Sequence, residues 1–383
     1  MQKRAKRKQA KILVAMSGGV DSSVAAAILV RAGFCVTGGF IKNWSSSKDP
    51  MSGECTWRAD RRDAMRVAAA LDIPLLTFDF EKQYREQVVA ELYRGYAAGE
   101  TPNPDVLCNE YVKFGLFWDK AKELGFDGMA TGHYARTTSR VPRPASQGRC
   151  DVRRATTASK LLRGLDPDKD QSYFLYRVKQ DALAHTIFPI GSMKKSKVRE
   201  LARKWKIPVA EKPDSQGICF IGKVNLGDFL SPKIKSKPGD IATPDGAIIG
   251  RHEGLHLYTI GQRQRIGVSG DHPWYVADKD LARNRLVVVD SDKHPYLLAK
   301  GLTVGDVHWI AGQAPKKAFK AWIQARYRQK TQPATVRMLA SGKEVAVALN
   351  KPIQAAAIGQ SAVIYRGQEC LGGGVIRSIE HSC

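Results

Sequence analysis

The 383-residue chain contains no Cys-x-x-Cys pair, and its seven cysteines, an odd number, stand far apart at Cys35, Cys55, Cys108, Cys150, Cys219, Cys370 and Cys383. That spacing argues against a zinc ribbon and a thioredoxin-like redox motif, and an odd, scattered set is no framework for a small secreted domain. No protein-held metal is expected from it. Long apolar runs are also missing: none reaches the roughly 18 residues of a membrane span, and the N-terminus has no apolar signal-peptide core. These absences point to a cytoplasmic chain with no membrane partner. Acidic residues are scarce, 37 against 61 Lys and Arg, which leaves a formal net charge of +24. An excess of that size favours a polyanion, because each phosphate that a cation neutralises releases counterions. Nucleic acid is therefore the expected partner, and Lys3 to Lys11 form a basic arm.

What the chain does have is a glycine turn between an apolar run and an alanine-rich stretch. Ile12-Leu13-Val14 reads as a strand, Ala15-Met16-Ser17-Gly18-Gly19-Val20-Asp21-Ser22-Ser23 as a tight turn, and Ser22 to Ala32 as a helix. The first backbone N–H groups of a helix have no intrahelical partner and lie at the positive end of its dipole, so they attract an anion. Gly18 and Gly19 clear the approach, and the serine hydroxyls add donors. A phosphoryl-transfer P-loop would carry Lys and then Ser or Thr after the second glycine, but Val20 and Asp21 stand there. Ser17 to Ser22 instead resembles the pyrophosphate loop (PP-loop) of the ATP pyrophosphatases. That resemblance implies cleavage of ATP between its α and β phosphates and adenylation of a carbonyl oxygen. Asp21 can hold Mg2+ beside the phosphates or fix the loop by hydrogen bonds, and both roles stay open.

From Lys11 to about Ala135 apolar runs alternate with helical patterns. Cys35 to Ile41, Leu75 to Phe78 and Gly128 to Thr131 read as strands, and Asp60 to Leu71 and Phe114 to Leu124 as helices. This is the pattern of an α/β fold with a parallel sheet and ligands at the carboxyl ends of its strands. Thr137 to Leu165 dissolves into Arg, Pro, Ser and Thr around a short hairpin, and helical patterns resume at Gln171 to Lys179 and Lys195 to Trp205. After Pro213 short β-type runs dominate, ending in a small all-β barrel. The division expected is a PP-loop catalytic domain over 1–222 with a basic arm over 1–10, a central β-rich domain over 223–286, and a C-terminal β-barrel over 287–383.

Four further blocks accompany the loop: Thr101-Pro102-Asn103-Pro104-Asp105-Val106-Leu107-Cys108-Asn109, Ala130-Thr131-Gly132-His133-Tyr134-Ala135, Lys169-Asp170-Gln171-Ser172-Tyr173-Phe174-Leu175 and Asp214-Ser215-Gln216-Gly217-Ile218-Cys219-Phe220. With Tyr258-Thr259-Ile260-Gly261-Gln262-Arg263 and in this order, they closely resemble the bacterial tRNA-specific 2-thiouridylases from about Lys11 to about Ile379. The resemblance implies ATP-dependent replacement of oxygen by sulfur at position 2 of the wobble uridine in tRNAs for glutamate, glutamine and lysine. It implies ATP contacts from the loop, Ile41 and Gly132. Cys219 corresponds to the carrier of a persulfide, and Cys108 to the nucleophile that cleaves it and closes a transient disulfide. Asn103, Pro104 and Asp105 correspond to the target-base contact, Asp105 either accepting a proton or orienting the base. His133, Lys169, Asp170, Gln171, Arg326, Tyr327 and Gln360 correspond to tRNA contacts. A cysteine desulfurase or sulfur-relay protein would supply the sulfur, and a monomer is expected.

The chemistry is plausible on the residues alone. A uracil carbonyl is a poor electrophile until adenylation turns its oxygen into part of AMP, and thiolates beside Lys113, Lys212 or a bound cation form more readily than in an apolar core. Ile41 stands where relatives commonly carry Met, a nearly volume-conserving exchange. Two alternatives remain at this stage. One is a PP-loop enzyme with a nitrogen nucleophile, such as a tRNA lysidine synthetase, GMP synthetase or argininosuccinate synthetase, and the other is a tRNA-binding protein with a vestigial loop.

Overall fold

The computed structural model describes residues 9–46, 55–138, 141, 158–214, 226–268 and 272–382. Cys150, Cys219, Cys383, the basic arm up to Lys8 and most of the arginine-rich stretch Arg136 to Arg154 lie outside them.

The first sheet is parallel. Strands β1 (Lys11–Ala15), β2 (Cys35–Lys42), β3 (Leu75–Asp79), β4 (Gly128–Thr131) and β7 (Thr186–Ile187) stand in the order β3-β2-β1-β4-β7. The chain moves outward from β1 on one side and then crosses to β4 on the other. The crevice at the carboxyl ends of β1 and β4 is therefore a switch point where two connections diverge, the usual ligand position in such sheets. Helix α1 (Val20–Arg31) follows β1 and is apolar almost all round, with Val24, Ala25, Ala26 and Ala27 wholly buried against one face of the sheet. Helix α2 (Thr56–Ala70) starts four residues before the sequence pattern suggests and buries Ala64, Val67 and Ala68.

Two helical readings are corrected. The Phe114 to Leu124 helix is the end of a longer helical run that begins at Pro104 and widens into a π-helical stretch over Cys108–Leu116. Gln171 to Lys179 is no continuous helix: a single 3-10 turn, Ser172–Leu175, is followed by a short helix at Gln180–Ala184. The apolar spacing there serves the barrel. Tyr173 Oη donates to the Ser361 carbonyl at 2.9 Å, Tyr176 Oη meets Ser361 Oγ at 3.2 Å, and Ser172 Oγ meets Tyr365 Oη at 3.1 Å. Burial on several sides at once mimics the period of a helix without requiring one.

The last third closes a six-stranded antiparallel barrel from β12 (Leu298–Trp309), β13 (Ala318–Gln324), β14 (Gln332–Met338), β15 (Val345–Gln354), β16 (Ser361–Arg366) and β17 (Glu369–His381), with β12 pairing β17. The hairpin of β5 (Ala135–Thr137) and β6 (Leu161–Arg163) joins the same sheet through Leu161 and Leu162 on β17, so the early chain lends the barrel two strands. Between them stands a small sheet of β8 (Gly239–Ala242), β9 (Ile248–His252), β10 (Tyr275–Asp280) and β11 (Arg285–Val289). It leans on the first domain through Lys279, whose Nζ donates to the Gly99 carbonyl at 3.1 Å and whose burial lowers its pKa to about 8.

Candidate active site

A cavity of about 620 Å³ opens at the switch point and is walled by residues from all the early motifs. Its floor is the glycine turn. Ser22 and Ser23 both return their hydroxyls to the Gly19 carbonyl, at 3.2 and 2.7 Å, and Ser22 Oγ also accepts the Ser17 N–H at 3.2 Å. The serines thus lock the loop and leave the helix-start N–H groups as its anion-facing donors. Gly18 has φ +72°, and a Cβ there would lie 2.2 Å from the Asp60 carbonyl oxygen. A Cβ on Gly132 would lie 2.6 Å from the Ser22 nitrogen, so only glycine lets the end of β4 rest on the start of α1.

Lysine is absent from the loop but is supplied from elsewhere in the fold. Lys195, on the first residue of the helix Lys195–Lys204, places Nζ 2.8 Å from both carboxylate oxygens of Asp21 and 2.7 Å from Asp214. Tyr134 Oη donates to Asp21 at 2.7 Å. Asp214 also receives Lys169 at 2.9 Å and Arg199 at 2.8 Å. Partial burial pushes the Asp214 carboxyl up, but the hydrogen bonds from Lys195 and Lys169 outweigh it and hold its pKa down at about 2. Lys212 joins the loop to α2, with Nζ 3.1 Å from the Gly18 carbonyl, 2.8 Å from Asp60 and 2.7 Å from Asp63. Of the two roles open for Asp21, this geometry shows the loop-fixing one. A Mg2+ ion would find a single loop carboxylate already clasped by Lys195 and Tyr134, so its ligands would come mainly from a nucleotide's own phosphates.

The opposite wall is the helical run from Pro104. Asn103 caps it, Oδ1 accepting the Val106 N–H at 3.3 Å, and Asp105, Asn109 and Lys113 face the cavity one turn apart. Cys108 does not line the cavity. It is wholly buried in an apolar cluster with Val106, Val112 and Phe117, in place of the polar setting the sequence suggests. His133 lines the cavity but is largely enclosed between Phe114 and Phe188, with Nδ1 2.7 Å from Thr131 Oγ1. Burial first, and then the charge of Lys113, holds its pKa well below the usual histidine value, so the ring is neutral.

The remaining sequence candidates divide. Ala15, Met16, Ser17, Gly19, Val20, Asp21, Ser22, Ile41 and Gly132 all line the cavity with Asp105, and Lys169, Gln171 and Tyr327 close its rim. Gln171 Oε1 accepts the Tyr134 N–H at 2.9 Å. Asp170 is turned inward, accepting from the backbone of Gly164 and Ser172 at 2.9 and 3.1 Å. Gln360 Nε2 donates to the Thr101 carbonyl at 2.9 Å, and Arg326 reaches the Ala355 carbonyl at 3.5 Å, so both brace the barrel. Sequence reasoning missed Asn43, Tyr134, Lys195 and Asp214 as site residues. Tyr134 and Asp214 stood inside the quoted blocks, whereas Lys195 gave no signal beyond opening an amphipathic helix.

The comparisons with known proteins are consistent from end to end. Three family matches tile the chain: a tRNA methyl transferase HUP domain over residues 10–223, a tRNA methyl transferase PRC-barrel domain over 227–290 and an aminomethyltransferase β-barrel domain over 299–376. Curated relatives named tRNA-specific 2-thiouridylase match over nearly the whole length. The protein of Marinobacter nauticus is 45% identical over 96% of this chain and 91% of its own, and that of Ralstonia pickettii is 44% identical over 97% and 96%. That of Proteus mirabilis is 43% identical over 97% and 98%. A solved 4-thiouridine synthetase in complex with RNA and ATP aligns with 56% of this chain and 46% of its own at 15% identity and a TM-score of 0.34, too distant to bear on the reading.

Proposed function

This chain belongs to the tRNA-specific 2-thiouridylases, and we propose that its cavity joins ATP and a flipped-out wobble uridine for adenylation at O2 followed by sulfur transfer. As a family member it is an ATP-using tRNA uridine 2-sulfurtransferase. The observation that supports the detailed reading is the convergence of the glycine turn and the Asp105–Lys113 wall on one cavity. In the proposed sequence the uracil O2 attacks the α-phosphate of ATP, and pyrophosphate leaves from above the helix-start N–H groups. The terminal sulfur of a persulfide on Cys219 then attacks C2, and O2 departs with AMP. Cys108 thiolate attacks the Cys219 sulfur, releasing the thiouridine and leaving a Cys108–Cys219 disulfide for an external thiol to reduce. Asp105 orients the base from the same wall, and neutral His133 packs the wall rather than neutralising phosphate.

The base must leave the anticodon stack to reach this site. Mg2+ would neutralise charge on the departing pyrophosphate, held mainly by the nucleotide's own phosphates while Asp21 fixes the loop. Lys169, Tyr327 and the basic barrel would meet the tRNA backbone, which supplies affinity while the bases supply choice. We further assign the sulfur supply to a cysteine desulfurase or a relay protein, the setting to the cytoplasm and the working unit to a monomer. The domains are divided at 1–222, 223–286 and 287–383. The test is to incubate the protein with unmodified glutamate tRNA, Mg-ATP and a persulfide-generating desulfurase, then weigh the digested nucleosides. One sulfur-for-oxygen exchange on uridine, dependent on ATP, is expected; pyrophosphate release without thiolated uridine would redirect the reading to a nitrogen nucleophile.

A further inference from the structure

Two amide side chains in the cavity wall have hydrogen-bonding capacity that the described residues leave unused. Asn43 is 1% exposed, and neither its Oδ1 nor its Nδ2 has a partner among the described residues. Asn109 is 2% exposed; it donates Nδ2 to the Phe174 carbonyl at 3.1 Å, and its Oδ1 has no partner among the described residues. A carbonyl can only accept, so that bond fixes the amide with its acceptor turned the other way. Both residues line the cavity. Leaving a buried amide unpaired is costly, and such a group is retained where a bound molecule completes it.

Their position favours the target base over the nucleotide. Asn109 is next to Cys108 and one helical turn beyond Asp105. Asn43 follows β2, and its neighbour Trp44 packs in the cluster of Val106, Cys108 and Val112, whereas Met16, Val20 and Phe40 at the loop pack on the other face. A fixed acceptor and, in the same cavity wall, an amide that can donate suit a base edge with N–H next to C=O. Uracil offers that edge at N3 and O4, and contacts there leave C2 and O2 open to reaction. Cytosine presents the reverse, an acceptor at N3 and an amine at C4.

We propose that Asn43 and Asn109 select uracil at the thiolation site, Asn109 Oδ1 accepting the N3 proton and Asn43 Nδ2 donating to O4. This inference rests on the cavity being the site of uridine thiolation. A site built to hydrogen-bond its substrate rejects an analogue that lacks the matching groups, because its own buried groups stay unpaired.

The experiment is a cycle between the protein and the base. Wild type, Asn43→Leu and Asn109→Leu are each titrated at fixed salt with tRNA carrying either uridine or 2-pyrimidinone, which lacks both the N3 proton and O4, at the wobble position. Wild type should bind the uridine tRNA about tenfold or more tightly than the analogue, the discrimination a paired base edge provides, and each variant should lose most of that ratio. Asn43→Leu should melt no lower than wild type, since it breaks no hydrogen bond among the described residues, and ATP affinity should stay within about twofold. Asn109→Leu loses its bond to Phe174, so it is judged by the ratio between the two tRNAs, which reduced folding does not change. A ratio preserved in both variants would overturn the proposal, as would a fall in ATP affinity with the ratio intact, which would assign the amides to adenine. Wild type that thiolates no uridine would overturn the underlying function instead.

Discussion

The phosphate end of the cavity and the sulfur side behind its opposite wall are prepared to different degrees. The phosphate end is fixed: the serines lock the turn, Gly18 and Gly132 admit the backbone contacts, and Asp21 is clasped by Lys195 and Tyr134. At the sulfur end Cys108 is sealed in an apolar cluster, and Cys219 falls outside the described residues. The difference suggests a division of labour. Adenylation needs donors in place before the reaction, so that charge develops against a prearranged field. Sulfur transfer as proposed needs Cys108 as a thiolate nucleophile, and its burial protects such a cysteine from oxidation in the ligand-free protein.

The strongest way to break this comparison is at the sulfur end. Cys108→Ser and Cys219→Ser should each lower thiolation by at least about a thousandfold, since no hydroxyl replaces a thiol nucleophile here; nucleoside mass analysis would read it, and a small loss would remove that cysteine from the reaction. At the phosphate end, Gly18→Ala forces a Cβ onto the Asp60 carbonyl at positive φ. A loss of roughly 2–4 kcal/mol is expected in denaturant unfolding, together with weaker ATP binding. Lys195→Met leaves Asp21 and Asp214 without their shared cation; with both carboxylates about a third exposed and holding other donors, the loss is roughly 1–2 kcal/mol, between the exposed and buried limits. Combining it with Asp21→Asn should recover part of the loss, and additive losses would show that the contact carries no energy.

Two smaller effects sharpen the contrast. In ligand-free protein a maleimide should label exposed Cys35 at least about tenfold faster than buried Cys108, as mapped by peptide mass. Addition of tRNA and ATP should narrow the gap if the sulfur end opens on binding. His133 titrates well below its usual value because of burial and Lys113. The unfolded chain therefore binds a proton near pH 6.5 that the folded chain refuses, and stability falls as pH drops through that range by up to about 1.4 kcal/mol per unit. His133→Gln should flatten this slope in melts between pH 7.5 and 5.5; an unchanged slope would mean that the ring protonates in the folded state.

The parts most legible in the sequence were those whose function is local. The strand, turn and helix around Ser17 to Ser22 are determined by residues within one another's reach, and the parallel sheet followed from alternating patterns. Legibility failed where partners are distant along the chain. The lysine missing from the loop returns as Lys195, 174 positions from Asp21, with no local trace. Tyr173 and Tyr176 imitate helical spacing because they pack against Ser361. From sequence the reactive thiol is expected beside Lys113 rather than in an apolar core, but helical geometry sends adjacent side chains to different faces: Asn109 meets the cavity while Cys108 turns into the core.

The most direct test of a ready phosphate end and a separate sulfur end is pyrophosphate release by Cys219→Ser in a single turnover with unmodified glutamate tRNA and Mg-ATP. The account predicts about one tRNA-dependent pyrophosphate per active site, with an adenylated tRNA accumulating and no thiolated uridine. No pyrophosphate from a variant that still binds both tRNA and ATP would contradict it, because adenylation would then require the sulfur end to be assembled first.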